Sequence, residues 1–134
     1  MKDFALLFPG QGAQMPGIAR DFADADPEIM DLWKQAEKIS GLPLRGLYWD
    51  SEDPAMVDTR NLQPGLTVAN LSIWTFASRY LAPAAVAGHS LGEYSALAAA
   101  GALSFKDAMQ AVTIRGLLMA DADPSGNGAT AAVL

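Results

Sequence analysis

The chain has 134 residues, with 9 lysines and arginines against 15 aspartates and glutamates, a formal net charge of -6, one histidine and no cysteine. Disulfides, thiolate metal sites and a cysteine nucleophile are excluded, and the scattered basic residues argue against nucleic acid as a partner. Hydrophobic residues at 51% and charged ones at 18% fit one packed domain, able to bury roughly 68% of its unfolded surface.

At the start, Phe4 to Phe8 is an unbroken apolar run stopped by Pro9-Gly10. It predicts a short strand buried on both faces and ending in a turn. Five residues are too few for a secretory segment or a membrane span, so a cytoplasmic chain off the membrane is expected. A glycine-rich loop, GQGAQMPG, follows. From Asp26 the local chemistry is that of a helix: Asp26 as N-cap, Pro27 in the first position, and Ile29, Leu32, Trp33, Ala36 and Ile39 on one stripe up to Gly41.

Residues 42 to 62 hold prolines and paired acids with little periodicity and read as irregular, with room for one helical turn. A second long helix is expected from near Pro64, with Leu66, Ala69, Ile73, Ala77 and Tyr80 on one face, ending before Pro83. Ala84 to Ala87 then reads as a second strand, and GHSLG leads into an alanine-rich helix, Leu91 to Ala100, closed by Gly101. Ser104 with Asp107 three residues on predicts a capped start for a last helix reaching about Ala120. DADPSGNG is a loop, and Ala129 to Leu134 opens as a further strand. Strands alternating with helices in this order predict an α/β fold with a parallel sheet and helices on both of its faces.

GHSLG fits G-x-S-x-G between a strand and a helix, the setting in which a serine is pushed out on a tight turn as a nucleophile. The plainer alternative is a glycine-bounded turn with Ser90 as N-cap. In the first case the amide of Leu91, at the helix N-terminus, points toward the same spot as an oxyanion donor. His89 is adjacent in sequence, but neighbouring side chains diverge from a tight turn, so a structural role suits it better than that of base. GQGAQ lacks the lysine and spacing of a phosphate loop. The amide of Gln11 is a candidate second oxyanion donor, with a plain loop as the alternative.

Arg115 lies between Val112 and Met119 and is flanked by Ile114 and Leu117, so it projects along a stripe expected to be buried. It must pair with an internal carboxylate such as Glu93 or an aspartate, or else await an anionic ligand. Asp50, Glu52, Asp53 and Asp58 read as solvated surface, and Trp33, Trp49 and Trp74 as core or rim.

FPGQGAQ at 8 to 14, LQPGL at 62 to 66, AGHSLGEYSALAAAGALSF at 87 to 105 and the RG of TIRGLLM resemble, in order and spacing, the malonyl-CoA:acyl carrier protein transacylases. The wider group takes in the acyltransferase domains of fatty acid and polyketide synthases and the malonyl transferase subunit of malonate decarboxylase. The resemblance implies a three-layer, hydrolase-like acyltransferase core. It implies Ser90 as the nucleophile that carries the acyl group, the amides of Gln11 and Leu91 as the oxyanion hole, and Arg115 as the partner of a malonyl carboxylate. Gln63 and His89 would line the same pocket. It further implies malonyl-CoA as substrate, an acyl carrier protein as partner, no metal and no resident cofactor, and a ping-pong cycle.

Family members are about twice as long, with a ferredoxin-like subdomain after the arginine-bearing helix and the catalytic histidine later still. The resemblance therefore implies an N-terminal portion: residues 1 to 128 from the large subdomain, and 129 to 134 opening the small one, with the histidine base outside the chain. Gly65 stands where the family usually has alanine, a departure expected to alter little. A serine hydrolase of the patatin type, with an aspartate base, and a non-catalytic scaffold needing a complementary chain are the competing readings.

Overall fold

The structure, a computed structural model, describes residues 3–50, 54–129, 131 and 133. Strand β1 (Ala5–Phe8) runs into the glycine-rich loop, followed by helices α1 (Arg20–Ala25), α2 (Pro27–Ser40) and α3 (Thr59–Ala77). Strand β2 (Ala85–Gly88), α4 (Gly92–Ala99) and α5 (Phe105–Asp121) complete the order. The two strands pair in parallel, from Ala5 opposite Ala85 to Phe8 opposite Gly88. Both therefore end at the same edge, and the loops that leave them emerge side by side. This is the α/β, parallel-sheet core expected, present in part.

Local chemistry sets α2 as predicted. The Asp26 carboxylate accepts from the Glu28 amide at 2.9 Å, Pro27 opens the helix, and Gly41 closes it in the left-handed conformation with φ 72°. Ile29, Trp33 and Ala36 are buried in a core shared with Leu44, Tyr48, Leu62, Leu66, Met109 and Val112. At the other end of the chain, the Ser104 hydroxyl accepts from the Asp107 amide at 3.0 Å and donates to its carboxylate at 2.7 Å, starting α5.

Helix α3 departs from expectation. It begins at Thr59, with the Asp58 carboxylate accepting from the Arg60 amide at 2.9 Å, and Pro64 lies inside it. Pro64 has no N–H to give the Arg60 carbonyl, a cost that the packing of the helix offsets. All residues from Leu62 to Ser72 are buried, so α3 is covered on every side rather than along one stripe. Tyr80, expected on that stripe, lies beyond the helix and is exposed. The preceding segment forms two short helical turns, Gly46–Asp50 and Pro54–Val57.

The strands also differ from expectation. Leu7 is 71% exposed, and Ala5, Ala85 and Ala87 on the same face are exposed too. Among the described residues nothing packs on that face, whereas Phe8 on the other face is buried. The strand expected over 129 to 134 falls largely on residues outside those described, as do Glu52 and Asp53.

Gly65 matters more than its sequence context suggests. It faces Tyr48, which is fully buried, stacks near Trp33 with ring centroids 6.2 Å apart and donates from its hydroxyl to the Leu62 carbonyl at 3.3 Å. A Cβ at position 65 would overlap the Tyr48 ring and lie 2.6 Å from its hydroxyl. The glycine is thus the seat of a tyrosine that has no room to retreat, and burial pushes the phenol's pKa up. Alanine at a free helical site gains about 1 kcal/mol over glycine. Gly65→Ala is expected instead to destabilise the protein by about 1–3 kcal/mol through overpacking. Urea unfolding of the variant, alone and combined with Tyr48→Ala, checks this, since the penalty should vanish once the ring is gone.

Candidate active site

The tight turn after β2 is built on two glycines in contact. A Cβ on Gly88 would overlap the Gly92 carbonyl, and one on Gly92 would overlap the Phe8 carbonyl and come within 2.9 Å of the Pro9 oxygen. Between them Ser90 takes φ 52°, a left-handed conformation that costs a non-glycine residue roughly 1–2 kcal/mol. The turn is closed by the Gly92 amide on the His89 carbonyl at 2.9 Å and the Glu93 amide on the Ser90 carbonyl at 3.1 Å. The Ser90 side chain is left on the surface.

Ser90 is not a helix cap. The N-cap of α4 is Leu91, with no side-chain cap bond, and the Ser90 hydroxyl instead accepts from Arg115 Nη2 at 3.0 Å. That disposes of the plainer reading of the turn. His89 donates through its backbone amide to the Phe8 carbonyl at 3.0 Å, tying the turn to β1. Its ring lies beside Gly10, and among the described residues no hydrogen bond joins it to Ser90. No other imidazole exists in the chain, and no carboxylate is hydrogen-bonded to the Ser90 hydroxyl among the described residues.

The loop after β1 comes up against this turn. A Cβ on Gly10 would lie 2.5 Å from the His89 carbonyl oxygen, so only a glycine allows so close an approach. Gln11 follows directly. Among the described residues, neither the Gln11 amide nor the Leu91 amide has an acceptor. The Leu91 amide follows Ser90 directly, and the Gln11 amide lies in the loop that abuts the turn at Gly10 and His89.

Arg115 completes the cluster from α5. Its Nη1 donates to Gln63 Oε1 at 2.8 Å, its Nη2 reaches Ser90, and its guanidinium carbon stands 5.9 Å from the centre of the Tyr94 ring. Gln63 is almost fully buried. Its Nε2 is held by Thr59 Oγ1 at 3.0 Å and faces Met119 Sδ at 3.2 Å, which leaves its carbonyl aimed at the guanidinium. Met119, four residues beyond Arg115, escaped the sequence reading because a methionine on an apolar helix reads as core; its i+4 spacing from Arg115 was the available signal.

The stripe on which Arg115 was expected is buried at Val112 but not at Met119. Ala108, Met109, Val112 and Gly116 face the core, while Ile114 and Leu117 are exposed. Arg115 sits at the edge of the buried face, next to Gly116, whose absent side chain lets α5 approach Thr59 and Arg60 on α3. Nor does it pair with Glu93 or an aspartate. Arg20, Arg45, Arg60 and Arg79 each bridge to a carboxylate, whereas Arg115 has none within 4 Å among the described residues. A half-buried guanidinium that meets only a hydroxyl, an amide carbonyl and a ring has capacity left for a bidentate anion.

Among the described residues no group of acidic, histidine or cysteine side chains could hold a metal ion, and no helix is long and apolar enough to cross a membrane.

The family model described as acyl transferase domain matches residues 5–134. Over its whole length the chain is 42% identical to the malonyl CoA-acyl carrier protein transacylase of Haemophilus influenzae and 41% identical to that of Bacillus subtilis. It spans 44% and 43% of those proteins' lengths. Among solved structures it is similar to a malonyl-CoA:acyl carrier protein transacylase from Xanthomonas oryzae pv. oryzae, with a TM-score of 0.85 and 35% identity. That match covers 94% of this chain and 41% of the other. A type II PKS acyl-carrier protein in complex with its malonyl-transacylase matches at a TM-score of 0.83 and 39% identity, over 90% of this chain and 40% of that one. Because the family model spans all but the first four residues and these relatives agree with it over the whole chain, the chain belongs to the acyl transferase domain family.

Proposed function

We propose that this chain carries the nucleophile and acyl-recognition half of an S-malonyltransferase. The enzyme would move a malonyl group from coenzyme A to the phosphopantetheine thiol of an acyl carrier protein, in cytoplasmic fatty acid biosynthesis. One observation carries the reading: Arg115 contacts the Ser90 hydroxyl and has no carboxylate partner of its own among the described residues. A cation so placed recognises an acyl chain that ends in a carboxylate a few bonds from the reacting carbonyl, which describes malonyl and not acetyl. The names of the relatives agree with it.

In the proposed cycle the Ser90 Oγ attacks the thioester carbonyl carbon, and its proton passes to a base. A guanidinium cannot take that proton, and no hydrogen bond joins the His89 ring to Ser90 among the described residues; as the resemblance to the transacylases implies, the base is a further histidine. The amides of Gln11 and Leu91 hold the oxyanion as the carbon–sulfur bond breaks, and coenzyme A leaves as the thiol with the proton returned. The carrier thiol then repeats the steps on the Ser90 ester. Nucleophile, base and oxyanion donors complete the chemistry without a resident cofactor. In the same reading residues 1–128 belong to the large subdomain, and 129–134 open the small one.

A polyketide carrier is the second reading, favoured by the similarity to the type II PKS complex; the chemistry at Ser90 is the same. A patatin-type hydrolase is disfavoured by the GQGAQ loop and by Arg115, a cation that contacts the Ser90 hydroxyl and has no carboxylate partner among the described residues.

The full-length protein incubated with malonyl-CoA is expected to acquire a malonyl ester on Ser90, read by peptide mass spectrometry, and Ser90→Ala is expected to acquire none. Label persisting in that variant would sink the proposal. Arg115→Ala should lower kcat/KM for malonyl transfer roughly 10- to 100-fold, the loss of a charged hydrogen-bonded pair of about 1.5–3 kcal/mol. Acetyl transfer should change much less, and equal losses would remove Arg115 from selection.

A further inference from the structure

Within the buried run of α3, Asn70 is one of four buried polar residues, with Gln63, Thr67 and Ser72, and is 6% exposed. An amide buried there without partners costs roughly 1–3 kcal/mol, and Asn70 has found two. Its Nδ2 donates to the Pro9 carbonyl at 3.2 Å and to the Ser95 hydroxyl at 3.3 Å. Ser95 is fully buried, one turn into α4 behind the serine turn.

Pro9 is the hinge between β1 and the loop that bears Gln11. Having no N–H, it cannot anchor that loop as a donor, and among the described residues its carbonyl is held by Asn70 alone. The contacts around it, Gly10 on the His89 carbonyl and Gly92 on the Phe8 and Pro9 carbonyls, fix distances without fixing rotation about the loop's backbone. A hydrogen bond to the Pro9 oxygen sets the plane of the Pro9–Gly10 peptide, and the Ala13 amide on the Gly10 carbonyl at 3.3 Å sets that of the next peptide, which carries the Gln11 amide.

Seven residues separate Gln63 from Asn70, two helical turns that bring both to one face about 10 Å apart. One face of α3 thus touches both halves of the site: Gln63 holds Arg115, and Asn70 holds the loop of the oxyanion donor.

We propose that Asn70 is a positioning residue for the oxyanion hole, holding the Pro9 carbonyl so that the Gln11 amide faces the oxygen of the carbonyl under attack by Ser90. This rests on the acyl transfer reading above. The oxyanion forms on any acyl group, so the role of Asn70 is blind to the acyl chain, in contrast to that of Arg115.

The test uses the full-length protein and measures the rate of Ser90 acylation by malonyl-CoA and by acetyl-CoA, with thermal melting in parallel. Asn70→Leu, close in size, is expected to slow acylation about 10- to 100-fold with both thioesters while KM stays within about twofold, since the donor acts in the transition state. Ser95→Ala removes the other partner but leaves the bond to Pro9, and should hold the rate within about twofold whatever its effect on melting. Asn70→Ser gives the same readout if the leucine variant does not fold. A rate loss that follows melting temperature alike in the position 70 and Ser95 variants, or one confined to malonyl-CoA, would overturn the proposal. Absence of any Ser90 ester in the unsubstituted protein would remove the acyl transfer reading as well. Normal acylation in Asn70→Leu beside a labelled wild type would remove the role of Asn70 only.

Discussion

Gly88 and Gly92 stand so close that neither can carry a side chain, and Gly92 presses in turn on the carbonyls of Phe8 and Pro9. That contact draws the turn tight enough to drive Ser90 into the left-handed region, at φ 52°, and seats the turn against the end of β1. Strain of this kind persists only where surrounding packing over-determines it. Here the parallel register of the strands, the His89 amide on Phe8 and the helix that follows all act on the same few residues. The exposed hydroxyl, the free Leu91 amide and the approach of the Gln11 loop follow from it.

Helix α3 supplies the second constraint. It is buried around its whole circumference from Leu62 to Ser72. It reaches the site through two polar side chains rather than through its ends. Gln63 is itself held by Thr59, so the oxygen it offers to Arg115 is fixed before any ligand arrives. Arg115 then rests on the Ser90 hydroxyl, to which it donates and from which a guanidinium cannot take a proton. In the proposed function a bound dicarboxylic acyl group would exchange these neutral partners for a charged one, and selectivity would arise from a cation left short of its full complement.

Much of this was legible in the amino-acid sequence, because it rests on local chemistry. The caps of α2, the capped start of α5 and the two short strands are set by residues adjacent in sequence, and G-x-S-x-G marked the turn. The beginning of α3 was not legible: Pro64 reads as a helix start, and Asp58, the actual cap, was lost among acids taken for surface. The weight of Gly65 could not be read either, since its reason is the ring of Tyr48, seventeen positions back and brought alongside only by folding. Arg115 stood out as a cation on an apolar helix, but its partners lie 25 and 52 residues away. Its position at the edge of the buried face depends on the crossing at Gly116. The expected burial of β1 on both faces failed for a different reason: periodicity reports what a strand can bury, and the described residues cover one face only.

The central claim is that Arg115 is kept unpaired for the carboxylate of the acyl group carried by Ser90. A crystal structure of the full-length protein trapped as its malonyl ester tests it most directly. The account predicts an ester on Ser90 Oγ whose free carboxylate accepts two hydrogen bonds from the Arg115 guanidinium, with Gln63 still alongside and the ester carbonyl oxygen facing the amides of Gln11 and Leu91. A malonyl carboxylate bound by other groups, with Arg115 turned to solvent, would contradict it.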